Sequence, residues 1–188
     1  MGRWPTGSRE RLQQAALALF VEKGFDQTSV SDIASRAGVT ERTFYRQFGE
    51  KREVLFDGGE SLQLAITEHL STSPPDERPL KAAERALMHA ATEFFSDRLP
   101  FARKRQSVID ANPELQEREL LKMASLVDAI RDSLASRDVP ETASRLAAEM
   151  GVAAFKVAFG RWIDPANGRS LADLIRDCLD EMRDVAAR

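Results

Sequence analysis

One cysteine, Cys178, stands in the 188 residues. No internal disulfide and no cysteine-held metal cluster can form, a usage that fits a reducing cytoplasm. No apolar signal-peptide core is present, and no apolar run approaches the roughly 20 residues that cross a bilayer, so no membrane partner is expected. The only histidines, His69 and His89, lie far apart in sequence. There is no Glu-x-x-His pair for a di-iron bundle, no nucleophile elbow and no phosphate-binding glycine loop. No enzyme chemistry, metal or cofactor is therefore expected. Strand-like alternation is also missing: the periodicity is helical, punctuated by proline and glycine, and the expected fold is all-α.

What the chain does have is a dense run of helix punctuation between Ser29 and Lys51. Ser29 is a capping type with Asp32 three residues on, so a helix starts there. Ile33, Ala34 and Ala37 supply its apolar stripe, and Gly38 stands where the chain must turn left-handed to leave it. Val39 plugs the angle, Thr40 caps the next helix, and Phe44 and Phe48 at i, i+4 face a core. Glu41, Arg42, Thr43, Tyr45 and Arg46 are left facing outward. A short helix after a tight turn, presenting cations, a hydroxyl and a phenol, suits a DNA major groove. Upstream, Ser8 caps a helix with Leu12, Ala15, Ala16, Leu19 and Phe20 on one side, Lys23 in the last turn and Gly24 at its end, after which Phe25 folds back as core. Residues 1–7 read as an arm in which Arg3 is a candidate groove or phosphate contact. The Met-Gly start loosely fits a myristoylation pattern, but bulky Arg3, Trp4 and Pro5 speak against it.

Thr28-Ser29, Asp32-Ile33-Ala34, Ala37-Gly38-Val39-Thr40, Phe44-Tyr45, Phe48 and Lys51, at this spacing, resemble the signature of the TetR family of one-component regulators. The resemblance implies a three-helix DNA-binding domain over 1–52 and a helical ligand-binding and dimerisation domain over 53–188. It implies a homodimer on a palindromic double-stranded operator, acting as a repressor and released by a small effector. The implied DNA contacts are Thr28, Ser29, Thr40, Arg42, Thr43, Tyr45, Arg46 and Lys51, with the Thr28 hydroxyl and the Lys51 ammonium on phosphates. Without the resemblance, Lys51 would instead be a solvated lysine paired with Glu50 or Glu53. Residues 1–56 carry a balance of +2 and the remainder −5, within a net −3, which places the weakly positive end at the reader.

Beyond Lys51, helices are expected over 51–70, 80–97, 100–111, 113–136, 140–163 and 169–187, with prolines 79, 100, 113 and 140 at or near their first turns. Gly58-Gly59 should kink the first of these, either as a hinge or to pack closely on a neighbour. In the last two helices Leu146, Met150, Ala154, Val157, Ala158 and Trp162 line one side, and Phe155, Phe159 and Trp162 a second edge. Leu171, Leu174, Ile175, Cys178, Leu179, Met182 and Val185 form another wide stripe. This apolar surplus makes Phe155, Phe159, Trp162, Leu171, Leu174, Ile175, Cys178 and Met182 the candidate dimer surface, or else plain core. Met88, Phe95, Met123, Leu126, Phe155 and Phe159 are likewise candidate ligand contacts or plain core. Residues 103–163 resemble the C-terminal domain of the mycofactocin-system regulators within TetR, which implies an extended apolar, acyl-bearing effector. The rival is a helical dimer that binds a small molecule or a protein and no DNA.

Overall fold

The computed structural model describes residues 7–186, and over them the chain forms nine α-helices and no strand. The expected contact at Arg3 lies outside the described residues. The chain divides into two units: one runs up to Gly58 and takes in Phe101–Glu119, and the other comprises Gly59–Pro100 and the residues from Leu120 on.

In the first unit, α1 (Ser8–Lys23), α2 (Val30–Ala37) and α3 (Glu41–Phe48) are followed by a 3-10 turn, Arg52–Leu55. Leu12, Ala16, Ile33 and Phe44 are wholly buried, and each large apolar side chain so placed contributes roughly 1.5–3 kcal/mol. The ring of Phe25 lies 5.1 Å from that of Phe20, which makes it core as expected. Ser8 does not cap α1. The N-cap position is Gly7, and the Ser8 hydroxyl accepts from Gln47 Nε2 at 2.7 Å. Val108, Ile109 and Leu115 complete this core from a distant stretch of chain. They belong to α6 (Leu99–Asp110) and α7 (Pro113–Ala135), through both of which the boundary between units passes. The reader is thus not closed at residue 52.

The expected helix over 51–70 is broken. The 3-10 turn ends at Phe56, Gly58 takes a left-handed φ of +88°, and α4 (Gly59–Ser71) starts afresh. Side chains far away in sequence impose the break. Asp57 accepts from the Arg9 guanidinium and from Gln13 Nε2 at 2.7 Å. Phe56 is buried, with the Arg105 guanidinium 5.0 Å from its ring centre. Close packing does not explain Gly58: a Cβ there would meet nothing within 4 Å. Its left-handed backbone does.

The second unit holds α4, α5 (Pro79–Phe95), α8 (Glu141–Ile163) and α9 (Leu171–Ala186), with the continuation of α7. Pro79 and Pro113 open their helices and Pro140 caps α8, where their missing N–H costs nothing. Small residues let α5 and α8 approach: a Cβ on Gly151 would lie 3.1 Å from Leu87 Cδ1 and 3.6 Å from Ala83 Cβ. Glu84 is buried but meets Lys81 at 2.6 Å and Arg183 at 2.7 Å, which joins α5 to α9 and keeps its carboxyl charged. At the α4–α5 corner, Arg85 donates to His69 Nε2 at 2.7 Å and to Ser73 and Glu77, while the His69 and His89 rings stack at 4.4 Å.

Candidate nucleic-acid interface

Two caps and one glycine place α3. The Ser29 hydroxyl accepts from Asp32 N at 3.0 Å, and Asp32 Oδ2 accepts from Ser29 N at 3.0 Å, a reciprocal capping box at the start of α2. Those bonds to Ser29 hold the Asp32 carboxyl below its usual range. Gly38 ends α2 at φ +67°, ψ 40°, a conformation glycine enters without penalty. Val39 N then closes onto Ala34 O at 3.0 Å, and Thr40 caps α3 by accepting from Thr43 N at 3.3 Å. The Thr40 and Thr43 hydroxyls lie 3.0 Å apart.

From there α3 turns Phe44 and Phe48 inward, their ring centres 5.2 Å apart. Tyr45 sets its ring edge-on to Phe44 at 5.8 Å and stays 50% exposed, so the phenol projects from a fixed base. Glu41, Arg42 and Arg46 are exposed and Thr43 is half-buried. Ser29 and Thr40 are exposed as well.

The other cations described up to Gly58 are already committed. Arg9 is held on Asp57 and over the Phe48 ring, and Arg11 donates to Ala37 O at 3.1 Å. Lys23 lies 3.9 Å from Asp32, Arg36 2.8 Å from Glu22 and Arg52 2.9 Å from Glu50. Among the described residues up to Gly58, Arg42 and Arg46 are the cations with no such partner. They stand at i, i+4 on the exposed side of α3, where unpaired guanidinium groups can be given over to base edges and phosphates.

Two expected contacts change role. The Thr28 side chain is 1% exposed and its hydroxyl donates to Gly24 O at 2.8 Å. It cannot reach a phosphate; it fastens the corner between α1 and α2. Lys51 pairs with neither Glu50 nor Glu53. Its Nζ donates to Phe25 O at 2.9 Å and Thr28 O at 3.1 Å and sits 4.1 Å from the Phe25 ring centre. Those carbonyls compensate a cation near a helix start. Carbonyl partners have no side-chain signature, so no residue pattern could have announced them.

In the second unit, Phe95 meets Phe155 at 6.1 Å, Phe159 at 6.0 Å and Trp162 at 5.7 Å, one aromatic cluster between α5 and α8. Phe95 and Phe159 are half-buried in it, as are Met88 and Met123 on their own helices, while Leu126 is buried. The apolar surplus expected for a dimer surface is absent at most of the named positions. Phe155, Trp162, Leu171, Leu174, Ile175 and Cys178 are buried within a single chain, and Phe159 and Met182 are half-buried. What α8 leaves open is Leu146 and Val157, 56% and 57% exposed, with Ala153 and Gly160 exposed and Met150 half-buried. The spacing is i, i+4, i+7, i+11, i+14, the seam of a helix that packs on another.

The first family model that the chain matches, "Bacterial regulatory proteins, tetR family", covers residues 12–57, and the second, "MftR C-terminal domain", covers residues 77–187. The chain is similar to the mycofactocin biosynthesis transcriptional regulator MftR of Mycobacterium tuberculosis, with 30% identity over 142 residues, 76% of this chain and 71% of that one. It is 33% identical over 168 residues to the HTH-type transcriptional repressor Rv3405c of the same organism, covering 84% of this chain and 75% of the repressor. Among solved structures, the SmeT–triclosan complex superposes with a TM-score of 0.60 at 25% identity, over 93% of this chain and 88% of that one.

Proposed function

We propose, from the premise that this chain belongs to the TetR family of bacterial regulatory proteins and is a transcriptional regulator with a helix-turn-helix for DNA, that it is a cytoplasmic homodimeric repressor. Its palindromic operator is released when a small, largely apolar effector binds. The observation that carries the proposal is the exposed face of α3, where Arg42 and Arg46 remain unpaired while the neighbouring cations are spent on protein groups. In the first turn, Arg42 and Thr43 read base edges. Tyr45 and Arg46, one turn on, hold phosphates together with Ser29 and Thr40 at the two helix starts.

A second copy supplies the symmetry. The seam of Leu146, Met150, Ala153, Val157 and Gly160 along α8 is an apolar surface whose self-association about a two-fold axis generates a C2 dimer. Two α3 helices then sit about one helical turn of DNA, roughly 34 Å, apart. The effector enters at the aromatic cluster of Phe95, Phe155 and Phe159, where the half-buried rings of Phe95 and Phe159 offer apolar contact. The likeness to SmeT, which was solved with triclosan, favours an apolar molecule. By binding one arrangement of the dimer better, the effector shifts the population away from the spacing that both half-sites require.

Selection of bound fragments from random and genomic duplexes tests the proposal, followed by titration of the best fragment at several salt concentrations. Enrichment of a palindrome whose occlusion lowers transcription supports it. Binding of a small molecule without any enriched duplex supports the rival helical ligand-binding dimer.

A further inference from the structure

We infer that Glu41 is a specificity-determining residue that accepts a hydrogen bond from the N4 amino group of a cytosine in the major groove of each half-site. The inference rests on the operator-reading role of α3 proposed above. Glu41 is the first residue of α3, exposed, and none of the side-chain hydrogen bonds or ion pairs found among the described residues involves it. Four residues on stands Tyr45, so the two share one edge of the helix, beside the row made by Arg42 and Arg46. The acid therefore belongs to the surface that meets DNA, and to its first turn, the part of a recognition helix that reaches base edges rather than the backbone.

A carboxylate there carries a cost that a neutral residue would not. Every phosphate repels it, and a free carboxylate only accepts hydrogen bonds. The groove edges of guanine and thymine present acceptors at this depth and repel it too, while adenine pairs its amino donor with the N7 acceptor beside it. Cytosine alone offers an amino donor without an adjoining acceptor. A glutamate next to Arg42, whose guanidinium matches the paired acceptors of guanine, thus makes a two-residue filter: the cation selects guanine and the anion selects cytosine at a neighbouring base pair. The stabilisation that any acid lends to a helix N-terminus is the plain alternative, and it makes no demand on DNA sequence.

The test compares duplexes selected from a randomised pool by the full-length wild type, Glu41→Ala and Glu41→Gln. The wild type should enrich a cytosine at one symmetric pair of positions. Glu41→Ala should keep the rest of the motif, lose the preference at that pair, and bind the best wild-type duplex about tenfold more weakly, the scale of one mispaired readout. Glu41→Gln keeps the side-chain shape and should move the preference from cytosine towards adenine, whose donor and acceptor an amide can match. A merely structural Glu41 would leave base preference unmoved in both variants, and that result overturns the inference. Failure of the wild type to enrich any motif overturns the reader role itself, and the role of Glu41 with it.

Discussion

Replacing Lys51 by methionine separates two roles that the same position has been given. In the structure its ammonium is a latch on the corner between α1 and α2, donating to Phe25 O at 2.9 Å and Thr28 O at 3.1 Å above the Phe25 ring. A hydrogen bond from a charged donor is worth roughly 1.5–3 kcal/mol when dry. Lys51 is half-buried, so water can partly replace it at both carbonyls. About 1 kcal/mol for each bond is then appropriate. The contact with the ring adds about 0.5 kcal/mol. The methionine chain keeps the stem packed, so the net loss is about 2.5 kcal/mol, and for a chain of this size that lowers the melting temperature by roughly 5–10 °C. The assay is thermal melting of Lys51→Met beside titration of an operator duplex at several salt concentrations. The structure predicts a lower melting temperature and an unchanged slope of log affinity against log salt. An unchanged melting temperature with a slope smaller by about 0.9, the signature of one lost phosphate contact, would refute the latch and restore the phosphate role.

Three further outcomes are expected. Gly58→Ala places a Cβ in open space but on a left-handed backbone, so it should destabilise by about 1–2 kcal/mol in chemical denaturation; retained effector response in that variant would show that the glycine shapes the chain rather than acting as a hinge. His69 is held neutral because the Arg85 guanidinium can only donate to Nε2, and its pKa lies below 6.5 through burial first, then the charges of Arg85 and His89. Its unfolded form binds a proton that the folded form refuses, so stability should fall as pH drops below about 6.5. His69→Gln should flatten that slope in denaturant titrations, and an unchanged slope would exclude His69 as its source. Val157→Lys sets a charge in the exposed seam of α8 and should turn the proposed dimer into a monomer in sedimentation, with α-helical content unchanged; a persistent dimer would place the interface elsewhere.

The reading face was legible because it is written in local chemistry. Capping at Ser29 and Thr40, a left-handed Gly38, and Phe44 and Phe48 one turn apart each act within four residues, and the structure keeps all of them. What escaped depends on partners far along the chain. Gly58-Gly59 marks a kink within residues 51–70, but only Arg9 and Gln13 on Asp57, with Arg105 above Phe56, reveal why the helix stops there altogether. The recruitment of Val108, Ile109 and Leu115 to the first core has the same origin. The family resemblance implies phosphate contacts for Thr28 and Lys51, whereas their partners are main-chain carbonyls. On α8 and α9, hydrophobicity alone could not divide a side chain buried in one protomer, such as Trp162, from one left open, such as Val157.

The most direct test of a DNA reader built on the unpaired cations of α3 is the salt dependence of operator binding by the wild type, Arg42→Ala and Arg46→Ala, measured beside their melting temperatures. Both arginines are exposed and without protein partners, so melting should not change. Wild-type affinity should fall steeply with salt, Arg46→Ala should reduce that slope by about 0.9, and Arg42→Ala should weaken the operator about tenfold while leaving non-specific duplex nearly untouched. Wild-type slopes and affinities retained by both variants would contradict the account.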